Sequence, residues 1–247
     1  MKPNVILAET KTPDGARLTL VEHDGDFCIR VNGQQLMHSA VTASELQLGT
    51  LGCERHAGKK GTRILIGGLG LGFTLKSVLQ SAGRMDTVHV AELFPEIVEW
   101  NRTFLAGLNG RLLDDPRVKV LKEDVKAVIR RSARTPYDVI ILDIDNGTTA
   151  MVMTENNELY SQRGMDGIAH ALNAGGRAAV WSACPDASIE RRLQKAGFSV
   201  QAVPAKLYPS AKRSAYMIYV ADKSAVQGSA GSRRSPGPGT HLQIERR

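Results

Sequence analysis

Three glycines alternate with apolar residues in Gly68-Leu69-Gly70-Leu71-Gly72, directly after the apolar run Ile64-Leu65-Ile66-Gly67. Glycines at Gly68, Gly70 and Gly72 let a backbone turn approach a ligand closely and aim helix N-terminal amides at it. Glu92 follows Gly72 by 20 residues, at the end of the next β-rich run, where a carboxylate can accept both ribose hydroxyls of a nucleoside. Phe73 stands where a dinucleotide fingerprint carries its third glycine, so a phosphate-free ligand such as S-adenosylmethionine suits this turn better than a pyrophosphate. Further acids close later β-rich runs. Asp124 can accept an adenine amine or cap the helix it precedes; Asp143 and Asp145 can orient a cationic amine, take its proton, or cap a turn.

These residues need a scaffold that brings the ends of several strands together. Runs Arg63–Gly67, Thr87–Ala91, Val118–Leu121, Tyr137–Leu142 and Arg177–Trp181 read as strands. Helices are expected near Phe73, Pro95, Val125 and Asn157 and after Pro185, with Asp124 and Asp186 as N-caps. Such alternation is the signature of a parallel sheet built from βαβ units. Phe198–Val203 and Ala215–Ala221 lack an intervening helix and should pair antiparallel. A final antiparallel hairpin separates the Rossmann-like class I methyltransferase fold, an α/β class, from nicotinamide-binding domains.

Ahead of this unit, Arg17–Glu22 and Phe27–Val31 flank His23-Asp24-Gly25-Asp26 as a hairpin, and Asn32-Gly33 turns the chain again before Gln35-Leu36-Met37. Residues 1–50 therefore read as a small β cap with a linker helix from about Thr42, and residues 51–223 as the catalytic domain. Residues 224–247, rich in Gly, Ser and Pro, read as a disordered basic tail.

The 247 residues suffice for one full-sized α/β domain, and 42% hydrophobic with 23% charged residues exclude wholesale disorder and fibrous structure. Neither a run long enough to span a membrane nor a secretory leader is visible, which places the chain in the cytoplasm by expectation. The net charge is +7, of which four tail arginines against Glu245 account for +3, leaving +4 for the body. That mild surplus reads as a solvated basic surface. Asp143-Ile144-Asp145-Asn146 also lacks the Pro-Pro-aromatic motif of enzymes that methylate flipped bases, so nucleic acid is not the expected partner. Cys28, Cys53 and Cys184 are widely spaced and read as reduced core thiols, and the six histidines show no metal spacing, so no metal is expected. Trp100 reads as packing, Trp181 as a wall of the pocket or of the core, and Tyr160 as an acceptor-site wall beside a candidate lid over 145–158.

The ordered set Gly68–Gly72, Ala91-Glu92-Leu93, Asp115-Pro116-Arg117-Val118, Glu123-Asp124-Val125, Tyr137–Asp143 and Leu207-Tyr208-Pro209-Ser210 resembles the spermidine synthase family of aminopropyltransferases. The resemblance runs from about Leu18 to Ala221. It implies a sulfonium-nucleoside donor, with Glu92 at the ribose, Asp124 at the adenine, their neighbours Leu93 and Val125 among the cofactor-binding residues, and Asp143 near the reacting amine. Tyr208 keeps a tyrosine of the family pattern, while Leu71 and Asn146 replace two of its aspartates, Glu45 stands in place of a tyrosine expected after the cap, and Ala211 replaces a glycine. On this basis Asp143, Asp145 and Tyr208 are expected at the reaction centre and Glu45, Asn146, Tyr160 and Tyr208 around the acceptor. A homodimer is implied by likeness alone. Two donors stay open: decarboxylated S-adenosylmethionine, giving aminopropyl transfer to a small amine, and S-adenosylmethionine, giving methyl transfer. A homologue that binds the nucleoside without turnover is the non-enzymatic alternative.

Overall fold

Short runs with β-branched residues, such as Leu18-Thr19-Leu20-Val21 and Cys28-Ile29-Arg30-Val31, are separated by turn residues in the first forty positions, and in a computed structural model they form an antiparallel meander. The structure describes residues 3–12, 15–144, 156–208 and 210–225. The meander comprises β1 (Val5–Lys11), β2 (Arg17–His23), β3 (Asp26–Val31) and β4 (Gln34–His38), paired in that order. Tight turns at Asp24-Gly25 and Asn32-Gly33 each place two residues at positive φ, the twist that two-residue hairpin loops require. Register pairs Leu18 with Val31 and Leu20 with Ile29, so all four side chains enter the core on one face. The edge strand β1 extends the sheet beyond the hairpins that the sequence outlined.

The second sheet begins after α1 (Ala43–Glu54). Its elements are β5 (Arg63–Gly67), α2 (Phe73–Ser81), β6 (Thr87–Ala91), α3 (Pro95–Arg102), α4 (Ala106–Asn109), β7 (Val118–Leu121), α5 (Val125–Arg131) and β8 (Tyr137–Leu142). They continue as α6 (Asn156–Leu159), α7 (Gln162–His170), β9 (Leu172–Ser182), α8 (Ala187–Lys195), β10 (Phe198–Ala205) and β11 (Tyr216–Lys223). The strand order is β10-β11-β9-β8-β5-β6-β7, with β11 antiparallel to both neighbours and β5 to β9 parallel. The chain leaves β5 toward β6 on one side and returns to β8 on the other. The carboxyl ends of β5 and β8 thus flank the topological switch point, where open α/β sheets bind ligands.

Strands β5 and β8 read as unbroken apolar runs because both sheet faces are covered. Ile64, Ile66 and Ile141 pack with Leu48 of α1 and Leu75 of α2, while Leu65, Ile140 and Leu142 pack with Val128, Met165 and Ile168 from α5 and α7. The cap residues Leu18 and Ile29 join the first of these cores. The cap is therefore fastened to the sheet by buried hydrocarbon as well as by α1.

Some expectations shift. The helix expected from Asn157 ends at Leu159; Ser161 then caps a separate α7 by accepting the Gly164 amide at 3.2 Å. Trp100 is buried in the core. Cys28 and Cys53 are buried, but Cys184 is exposed and is not a core thiol, because the chain leaves β9 as a loop before Pro185. Among the described residues no helix is long and apolar enough to cross a membrane. The expected tail from residue 226 and most of the candidate lid, 145–155, lie outside the described residues.

Candidate active site

The glycine turn is held by backbone contacts that a side chain would break. Gly68 has φ +90°, and a Cβ there would lie 2.2 Å from the Asp143 carbonyl oxygen, so the ends of β5 and β8 meet in direct backbone contact. At Gly70, φ is +50° and a Cβ would lie 2.5 Å from Met37 Sδ, which the cap lowers over the turn. Two amides from the following helices pin the loop carbonyls: Asn101 Nδ2 donates to Gly70 O at 2.8 Å, and Asn109 Nδ2 donates to Leu71 O at 2.7 Å.

Glu92, at the end of β6, is 5% exposed and ties this turn to the next. Its Oε2 accepts from the Leu69 amide and its Oε1 from the Phe94 amide, both at 2.9 Å. Burial pushes the carboxyl pKa up, and these amide donors oppose the push. The backbone amides of Gly70 and Leu93 also act on the carboxylate, and the side chain lines a cavity with Gly68, Gly70, Leu93, Asp124 and Val125. Asp124 caps α5 by accepting the Lys126 amide at 2.8 Å, with Lys126 Nζ 3.4 Å from its other oxygen. Ile29, Leu36 and Met37 of the cap supply the apolar roof.

Asp143 and Ile144, at the end of β8, together with Leu36 and Met37, also line a second, adjoining cavity. Its remaining walls include Ser44 and Glu45 from the start of α1, Gln35 and His38 of β4, Trp181 of β9 and Tyr216 of β11. Thr74, in the first turn of α2, donates to Asp143 Oδ2 at 2.7 Å, and Ser44 donates to Glu45 Oε2 at 2.6 Å. Desolvation pushes Glu45 up to about 7, with the nearby Asp143 charge adding to the rise. Asp143 is pushed up to about 6 by desolvation, which the Thr74 hydroxyl counters. Two carboxylates of raised pKa on one small cavity form an acidic pair suited to holding a cation or accepting its proton.

Of the residues singled out from sequence, Gly68, Gly70, Glu92, Leu93, Asp124, Val125 and Asp143 converge on the first cavity, and Glu45 joins Asp143 on the second. Gly72 stands behind the turn as the N-cap of α2. Tyr160 is buried in the core beneath, its hydroxyl 3.3 Å from Ile144 O, and lines neither cavity. Tyr208 is 48% exposed and also lines neither, because the loop before β11 carries it to the surface. Leu71 is buried in the hydrophobic core. Asp145 and Asn146 lie outside the described residues. Sequence reading missed Thr74, Tyr216, Asn101, Asn109 and the cap side chains Leu36 and Met37. A hydroxyl one turn into the helix after a glycine loop was the available signal for Thr74; the others come from remote elements.

A glycine turn at the switch point, a buried acid ending the neighbouring strand and an inserted antiparallel seventh strand define a class I methyltransferase-like domain. Within that class, the family model described as the spermine/spermidine synthase domain matches residues 41–224, and the chain belongs to this family. It is 33% identical over 146 residues to polyamine aminopropyltransferase 1 of Streptomyces coelicolor, covering 56% of this chain and 26% of that protein. It is 30% identical over 145 residues to the polyamine aminopropyltransferase of Mycobacterium tuberculosis, covering 56% of this chain and 27% of that protein. The matched segment thus spans about a quarter of the length of these curated relatives. Among solved structures, the spermidine synthase of Thermotoga maritima superposes with a TM-score of 0.71 at 20% identity, over 90% of this chain and 74% of that one. A spermidine synthase in complex with the transition-state analogue AdoDATO gives 0.70 at 19% identity, over 90% and 73%.

Proposed function

We propose that the chain transfers an aminopropyl group from decarboxylated S-adenosylmethionine to a small amine. The observation that carries this reading is Asp143, which stands on the wall common to the two cavities. Relatives named as aminopropyltransferases support it.

The cavity fits such a donor. Gly68 and Gly70 line its floor, Glu92 offers oxygens for ribose hydroxyls, and Asp124 with Val125 stands where an adenine edge would be read. When bound, the donor supplies an electrophilic carbon beside a sulfonium. Asp143 and Glu45 hold the acceptor ammonium and take its proton. The freed nitrogen lone pair then forms the new N–C bond, while the C–S electron pair leaves with sulfur as a neutral thioether. Alignment of this kind can be worth about 7–11 kcal/mol. The acidic pair also favours the decarboxylated donor. A carboxylate at the junction of the cavities would face Asp143 and Glu45, whereas Lys126 stands at the Asp124 end.

Thermal shifts with methylthioadenosine, S-adenosylmethionine, its decarboxylated form and NAD, followed by mass spectrometry of amine incubations, test the reading. A ligand at 100 times its dissociation constant adds about 2.7 kcal/mol. Stabilisation by the decarboxylated donor with an aminopropylated product is expected; stabilisation by NAD alone, or methyl transfer instead, would sink it.

A further inference from the structure

Successive peptides of the glycine turn are each held by a side chain from one stretch of the fold. Glu92 accepts the Leu69 amide at 2.9 Å and acts on the Gly70 amide as well, which fixes the first two. Asn101 of α3 donates to Gly70 O at 2.8 Å, and Asn109, the last residue of α4, donates to Leu71 O at 2.7 Å, which fixes the next two. All three residues lie between the end of β6 and the start of β7. Glu92 lines the first cavity; the two asparagines line neither.

The direction of both amide groups follows from their neighbours. Asn101 Nδ2 also donates to Ile97 O at 2.9 Å, and two carbonyls can be served only by the NH2 end. Asn109 Oδ1 accepts from Lys76 Nζ at 3.2 Å, so its NH2 end faces the Leu71 carbonyl. Both asparagines are buried, which keeps water from replacing them as donors. Gly72 makes room for them. A Cβ there would lie 2.9 Å from Asn101 Oδ1 and 3.6 Å from Asn109 Nδ2, so the third glycine serves this clamp.

With glycine at three of the five positions from Gly68 to Gly72, the turn has a wide choice of backbone states, and a ligand that had to order it would lose affinity. We propose that Asn101 and Asn109 are positioning residues that hold the glycine turn in its nucleoside-binding form before the donor arrives. Donor affinity then depends on them, and turnover of the bound donor does not. This rests on the aminopropyl-transfer reading and assigns the source of its donor affinity. Both residues act through the carbonyls of Gly70 and Leu71.

The test uses the full chain with two substitutions. Asn101→Ala removes the donor to Gly70 O. Asn109→Asp keeps the side-chain shape and gives Lys76 a charged acceptor, which retains the fold, but turns an oxygen toward the Leu71 carbonyl where a donor stood. Methylthioadenosine is titrated calorimetrically into the parent and each variant, thermal unfolding is followed without ligand, and donor KM and kcat are measured with 1,4-diaminobutane. Each variant should bind methylthioadenosine about fivefold or more weakly, the size of one neutral hydrogen bond, with Asn109→Asp melting close to the parent. Donor KM should rise by the same factor while kcat stays within about twofold, the pattern of lost uniform binding. If Asn101→Ala fails to fold, Asn109→Asp decides alone; if the parent gives no product, the nucleoside affinities decide. Unchanged affinity in a folded Asn109→Asp variant, or a fall in kcat at unchanged KM, overturns the inference and leaves aminopropyl transfer standing. A parent that neither binds methylthioadenosine nor reacts with the donor removes the aminopropyl-transfer reading and the inference with it.

Discussion

The Thr74 hydroxyl donates to Asp143 Oδ2 at 2.7 Å, joining the first turn of the helix after the glycine loop to the acid at the end of β8. Thr74→Val keeps the side-chain shape and deletes this donor. Asp143 should then hold its proton to higher pH, since the hydroxyl now stabilises the carboxylate. We expect kcat/KM near neutrality to fall about tenfold, a size consistent with losing one hydrogen bond to a charged group. The acidic limb of the pH–rate profile should move upward with little change in the circular dichroism spectrum. An unmoved limb would remove Thr74 from the reaction.

Glu45 and Asp143 set opposite demands on pH. In the fold their carboxyls titrate at about 7 and about 6, above the ordinary values of 4.5 and 3.8. The folded state thus binds their protons more tightly than the unfolded chain. The associated stability is present below the unfolded values and is lost as pH rises through about 6 to 7. Holding an amine needs the ionised pair, so activity should climb over the window in which stability declines. Urea midpoints at pH 5.5 and pH 8 for the parent and Glu45→Gln check this. The parent should lose more stability than the variant between the two; equal losses would contradict the assignment.

Glu92→Gln tests the floor of the first cavity. Glutamine keeps the size but turns an NH2 toward the Leu69 or Phe94 amide, leaving one buried donor without an acceptor. The expected cost is about 1–3 kcal/mol in denaturant unfolding. Methylthioadenosine should bind at least tenfold more weakly by calorimetry. Loss of stability with unchanged nucleoside affinity would show that Glu92 braces the loops and does nothing for a ligand.

Alanine at two glycines should separate backbone from side-chain obstruction. At Gly68 the new Cβ meets the Asp143 carbonyl, which can move only with β8; at Gly70 it meets the flexible end of Met37. Both positions have positive φ, a strain of about 1–2 kcal/mol for an L-residue. Gly68→Ala should therefore lower the melting temperature clearly more than Gly70→Ala. If the two fall equally, contact between β5 and β8 is not what selects glycine at Gly68.

The sheet was legible because its signals are local. Ile64–Ile66 and Val139–Leu142 are apolar without alternation, a pattern that only a doubly covered strand sustains, and the helix-free gap between Phe198 and Ala215 forced an antiparallel close. The Asp124 cap was likewise readable from its place before α5. Tyr160 and Tyr208 show the limit of such reading. Both are aromatics near the acidic segments or in a family-like motif, yet one is buried under Ile144 and the other faces solvent. A tyrosine's direction depends on the loop or helix face that carries it, and neighbouring letters do not encode that.

Sequence alone determined the glycine turn, the strand-end acids and the order of βα units, since each follows from backbone sterics or from the periodicity of burial. Only the tertiary structure decided which of these residues share a cavity. Met37 reaches Gly70 from the cap, Glu45 reaches the Asp143 side through α1, and Tyr216 arrives on a strand inserted after the sheet is otherwise complete. Such meetings arise from packing between segments far apart in the chain, where the buried surface of the whole core fixes the distance between two side chains.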